Sequence, residues 1–134
     1  MTSRVLFLCT GNSCRSQMAE SIVNARYPEW RAFSAGSKPA GYVHPKAIQA
    51  LKEVGIELRG ESKSMEEFRG ESFDLVVTVC GQENEECPVW LGSAKQIHEA
   101  FRDPAKAQGT AEEQLVVFRQ VRDELLSKMP ALLG

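Results

Sequence analysis

Two short runs, RVLFLC at 4–9 and FDLVVTVC at 73–80, are apolar almost without interruption. Alternating polarity would mark strands with one wet face. Continuous runs belong to strands covered on both faces, as in parallel sheets. RAFSAG at 31–36 and AKQIHEAF at 94–101 are weaker strand candidates. Helical patterns lie between them. In RSQMAESIVNARY, Met18, Ala19, Ile22 and Val23 recur at three- and four-residue spacing. HPKAIQALKEVG does the same through Ala47, Ile48, Leu51 and Val54, with Pro45 near its start and Gly55 as a stop. A last helix, about 111 to 129, shows Leu115, Phe118, Val121, Leu125 and Met129 on one side. This alternation predicts one α/β domain over residues 1–134, a four-stranded parallel sheet flanked by helices on both faces.

Composition narrows the function classes. A formal net charge of -2 provides no basic field for nucleic acid, so a bound anion must be held by local geometry. No apolar run approaches the roughly 20 residues of a membrane span. The apolar stretch at the N-terminus, about five residues, is too short for a signal peptide. A cytoplasmic location is expected, where thiols stay reduced. The four cysteines then read as reactive groups or metal ligands, not as staples.

The first strand candidate runs straight into Cys9-Thr-Gly-Asn-Ser-Cys-Arg15 and then into a helix. Gly11, with Asn12 the next most tolerant, permits a backbone turn that other residues resist. Thr10, Gly11, Asn12, Ser13 and Cys14 can turn their N–H groups inward as a nest for a tetrahedral oxyanion. The helix contributes its positive end, and Arg15 a bidentate clamp. The same field favours a thiolate at Cys9, aimed at the central atom of the anion. Ser16 is placed to hydrogen-bond that sulfur or a departing group. Cys14 reads as a small filler. A bare Cys-x5-Arg pattern is short, and the strand before it and helix after it give it weight.

In an open parallel sheet, ligands sit beyond the carboxyl ends of the strands. Cys9 and Cys80 end two strand candidates, and Asp103 follows a third. Asp103 before Pro104 also suits a turn, but on this rim it reads as a general acid for a leaving oxygen. His44 and His98 show no partner in the sequence and read as structural. MEEF and the charges of the last helix read as solvated faces, and Trp30 and Trp90 as packing.

Cys80 and Cys87 flank the polar segment GQENEE. Seven extended steps span about 23 Å and seven helical steps about 10.5 Å, whereas a disulfide needs Cα atoms roughly 4.4–6.8 Å apart. The pair can bridge only if the segment loops out, which suits a redox relay. Two unrelated thiols remain the plain alternative. A zinc site is disfavoured, because the spacings do not match short zinc knuckles, and no bound metal is expected.

VLFLCTGNSCRSQMAE resembles the phosphate loop and first helix of the low-molecular-weight protein tyrosine phosphatase superfamily. SAG, HPKAIQALKEVGIEL, DLVVTVC followed seven residues later by CP, RDP and FRQVRDEL are similar to its thioredoxin-coupled arsenate reductases. The resemblance implies a three-cysteine relay. Cys9 attacks arsenate held by Thr10 to Arg15, with Asp103 aiding loss of water. Cys80 resolves Cys9 and releases arsenite, and Cys87 then moves the disulfide outward for thioredoxin. It further implies no bound cofactor, electrons from reduced thioredoxin, a monomer and weak phosphatase activity. Some relatives hold potassium at positions matching Asn12 and Glu20 with a further Thr and Asp. Here ESKS offers Ser62, but Ser64 replaces the acid and Lys63 adds positive charge, so no potassium site is expected. Two other readings stand beside it: a phosphatase using Cys9, Arg15 and Asp103 alone, and a non-enzymatic metalloid or redox sensor.

Overall fold

The computed structural model describes residues 2–80 and 87–134. Strands β1 (Ser3–Cys9), β2 (Trp30–Gly36), β3 (Leu75–Thr78) and β4 (Lys95–His98) form one parallel sheet in the order β2-β1-β3-β4. Helices α1 (Arg15–Arg26), α2 (Pro45–Lys52) and α3 (Ala111–Leu133) complete the domain. β1 has partners on both edges, and every residue from Val5 to Cys9 is buried. That is why its sequence is apolar on both faces.

The two faces of the sheet differ. Val5, Phe7 and Cys9 point into a core shared with Met18 and Ile22 of α1, Leu51 of α2 and Phe118 and Leu125 of α3. Leu6 and Leu8 point the other way, toward Phe68, Phe73 and Trp90. Among the described residues, the buried faces of all three α-helices join the first core. The second is closed by a short 3-10 turn, Met65–Phe68, and edge-to-face aromatics at 5.6–5.9 Å. The Arg4 guanidinium lies over the Phe33 and Phe73 rings. A four-residue segment suffices there because the rings supply the buried area. MEEF is accordingly not a solvated face throughout, since Phe68 is buried.

Helix ends follow their signals, with informative exceptions. Thr110 and Glu113 form a reciprocal capping box at the start of α3. That helix continues past the expected end at 129, with Pro130 inside it. A proline this near the end removes little of the hydrogen-bond ladder, and buried Met129 and Leu132 hold the last turn to the core. Ile48, expected on the buried side of α2, is exposed, whereas Ala50 is fully buried. The charges of α3 are not all solvated: buried Arg122 donates to the Ala50 carbonyl and, like Arg119, pairs with Glu53, tying α3 to α2. Trp90 is buried and Trp30 packs against the core, as read from the sequence.

Candidate active site

The carboxyl end of β1 delivers Cys9 to the floor of a pocket of about 180 Å³. Gly11, Asn12, Ser13, Cys14 and Arg15 form one wall, and Ala40, Tyr42, Asp103 and Ala105 the other. Thr10 lies outside this wall, its carbonyl accepting the Lys38 N–H. The pocket sits at the N-terminal end of α1, where the helix dipole favours an anion.

The turn is made differently from the sequence reading. Gly11 does not carry the left-handed backbone; Asn12 does, with φ at 49°. Asn12 tolerates it because its side chain is held at both ends. Oδ1 accepts from the Lys63 N–H at 2.9 Å and Gln17 Nε2 at 3.0 Å, and Nδ2 donates to Ser16 Oγ at 2.9 Å. Ser16 Oγ in turn lies 2.8 Å from Cys9 Sγ, and the Asn12 N–H donates to the same sulfur at 3.2 Å. The nucleophile candidate therefore has two hydrogen-bonding neighbours, both positioned by Asn12.

Arg15, 3% exposed at its side chain, is fixed by Nη1 donating to the Phe101 carbonyl at 3.2 Å. Its Nη2 lies 3.7 Å from Asp103 Oδ2. Asp103 both caps a turn and reaches the pocket. Oδ1 caps the turn Pro104–Lys106 by accepting the Ala105 N–H, while the carboxylate faces Arg15 in the pocket wall. Burial, reinforced by the Asp103 charge, pushes the Cys14 thiol up to about 12. Cys14 thus stays neutral at ordinary pH and fits the filler role.

Cys80 lies two residues beyond β3, fully buried, and is bonded to half-buried Cys87 across a Cα separation of 5.7 Å. That is well inside the span of seven helical or extended steps; the path of 81–86 itself lies outside the described residues. Cys9 and Cys14 are free thiols, and Cys9 shares the first core with Cys80. The pairing engages two of the four cysteines.

Several supporting residues escaped the sequence reading. A Cβ on Gly36 would meet the Thr10 carbonyl oxygen at 2.4 Å, so only glycine lets the end of β2 approach the loop. Ser62, named from the sequence only at a potassium position, donates through Oγ to the Gly11 carbonyl at 2.9 Å. Gln17 is fully buried in the first turn of α1 and bonded to Asn12 and the Glu61 carbonyl. A glutamine beside the apolar stripe was the one visible signal. Both histidines have partners. His44 Nδ1 caps α2 by accepting the Lys46 N–H, and desolvation holds its pKa below the ordinary histidine value. His98 pairs with Thr78 and approaches Cys87.

The profile described as Low molecular weight phosphotyrosine protein phosphatase matches residues 4–134. An arsenate reductase from Halalkalibacterium halodurans is 46% identical over 124 residues, 90% of this chain and 88% of its own. A solved structure of an arsenate reductase in the phosphate binding state superposes with a TM-score of 0.72 at 31% identity, over 98% of this chain and 96% of the other. A low molecular weight protein tyrosine phosphatase from T. tengcongensis superposes with a TM-score of 0.74 at 29% identity, over 98% of both chains.

Proposed function

The chain belongs to the low molecular weight phosphotyrosine protein phosphatase family, and from that premise we propose that it is a cytoplasmic, thioredoxin-coupled arsenate reductase. One observation carries the reading. A free Cys9 in an oxyanion-sized pocket with Arg15 and Asp103 shares its core with a redox-capable pair, Cys80 and Cys87.

Arg15 and the N–H groups of the loop hold arsenate against Cys9. The Cys9 thiolate attacks arsenic, a sulfur–arsenic bond forms, and an oxygen leaves as water with Asp103 supplying the proton. Cys80 then attacks the Cys9 sulfur. The sulfur–sulfur bond forms as the sulfur–arsenic bond breaks, and the electron pair stays on arsenic, which departs as arsenite. Cys87 attacks Cys80 and displaces the Cys9 thiolate toward Ser16 and the Asn12 N–H, its neighbours in the resting pocket. Reduced thioredoxin returns Cys80 and Cys87 to thiols. No cofactor is needed, and the protein works as a monomer.

The test is arsenite formation from arsenate with thioredoxin, its reductase and NADPH, run beside hydrolysis of an aryl phosphate. Sustained, thioredoxin-dependent arsenite formation with weak ester hydrolysis is expected. Ester hydrolysis without any reductant-dependent arsenite would make the protein a phosphatase. That second reading has its own support, since the pocket needs no other thiol for hydrolysis and a phosphatase shares the fold.

A further inference from the structure

We propose that His98 is the proton carrier of Cys87, taking its proton when the relay closes and returning it when the disulfide is reduced. The proposal rests on the relay reading and adds a fourth participant to it. His98 ends β4 directly opposite Thr78 of β3. Its Nδ1 lies 2.7 Å from Thr78 Oγ1 and 4.0 Å from Cys87 Sγ. One ring nitrogen thus faces a hydroxyl and the half-buried sulfur of the pair, while Cys80 on the far side is wholly buried. The Thr78 hydroxyl suits this duty. It donates to a bare Nδ1 and accepts from a protonated one, so the ring stays in place in both states. Among the charged residues nearby in sequence, Glu99 is held by Lys128 at 3.2 Å, and Lys95 starts the same strand.

The proton balance closes over the cycle. When the Cys87 thiol attacks Cys80, its proton passes to His98 Nδ1. The Cys87–Cys80 bond forms, the Cys80–Cys9 bond breaks, and the electron pair leaves on Cys9. In the return, a thiolate of the external dithiol attacks the exposed side of the pair at Cys87, and Cys80 leaves as a thiolate. The second thiol of the reductant gives up its proton, which returns Cys80 to a thiol, and attacks its own mixed disulfide. Cys87 leaves as a thiolate and takes the proton back from the imidazolium. Without His98 the attacking thiol depends on water, and a thiol of ordinary acidity (pKa about 8.5) is only about 3% thiolate at pH 7.

Two variants test this: His98→Ala, and His98→Gln, which keeps a partner for Thr78 but cannot carry a proton. The first readout needs no arsenate. In fully reduced protein at pH 7, alkylation of Cys87 by iodoacetamide, followed by peptide mass, should slow about tenfold in both variants. In the second, thioredoxin-driven turnover should fall by about the same factor, with the Cys9–Cys80 disulfide accumulating, and added imidazole should restore His98→Ala. Wild-type alkylation rates at Cys87 in both variants would overturn the proposal. So would a turnover loss that imidazole does not repair, or that His98→Gln does not share. If the wild-type protein forms no arsenite, the relay reading fails alone, and the alkylation rates still decide whether His98 serves Cys87.

Discussion

Asn12 is the residue on which the pocket turns, and replacing it should cost a large part of the protein's stability. Its side chain is completely buried and makes three hydrogen bonds of 2.9–3.0 Å, to the Lys63 N–H, Gln17 and Ser16. At about 1 kcal/mol net each, their loss in Asn12→Ala amounts to about 3 kcal/mol. Alanine must also hold the left-handed backbone, at φ 49° in this structure. That adds about 1–2 kcal/mol, for a total of about 4–5 kcal/mol against the 5–15 kcal/mol typical of a domain. Asn12→Gly escapes the backbone strain but carries an entropy cost of about 0.5–1 kcal/mol, so it should be the more stable variant by roughly 0.5–1 kcal/mol. Urea unfolding of the three proteins, monitored by far-UV circular dichroism, measures both differences. Should Asn12→Ala match or exceed Asn12→Gly in stability, backbone strain is not what selects this residue. Losses below about 1 kcal/mol in both variants would show that the three hydrogen bonds contribute nothing net.

The remaining predictions concern chemistry and pH. Cys87→Ser should release a single equivalent of arsenite and stall with Cys9 joined to Cys80; sustained thioredoxin-driven turnover in that variant would sink the three-thiol relay. Arg15→Lys keeps the charge but loses the planar fork and its bond to Phe101. A deficit of about 1.5–3 kcal/mol, or roughly 10- to 150-fold in kcat/KM for arsenate, is expected, and activity within twofold of wild type would refute the clamp. Burial raises the Glu20 carboxyl above its ordinary value, opposed by Lys63 and Ser34. The folded state therefore binds that proton more tightly than the unfolded chain. The stabilisation is full below the unfolded value of about 4.3 and is lost as pH rises through the folded one. Urea midpoints should show wild type losing stability relative to Glu20→Gln as pH rises above about 4, and parallel profiles would contradict this assignment.

What the sequence determined is what short-range pattern encodes. The uninterrupted apolar run of β1 requires a strand covered on both sides, and the burial of Val5 to Cys9 meets that requirement. Periods of three and four residues place α1, α2 and α3, and Cys9, Arg15 and Asp103 meet because strand ends share one rim. The spacing of Cys80 and Cys87 allowed a bridge without requiring one. Tertiary structure decided the rest, wherever a residue's role depends on a neighbour distant in sequence. Asn12, not Gly11, takes the left-handed turn because Lys63, fifty-one positions away, offers its N–H. Gly36 is required because β2 ends against the Thr10 carbonyl, a contact that only sheet register creates. Aromatic rings from β2, the Met65–Phe68 turn and two loops close the second face without a long helix, and no periodicity in any one segment announces that. His98 had no visible partner because its partners, Thr78 and Cys87, come from another strand and a distant loop. Local pattern selects the elements, whereas hydrogen bonds and close approaches between elements depend on pairings that exist only once the chain has folded.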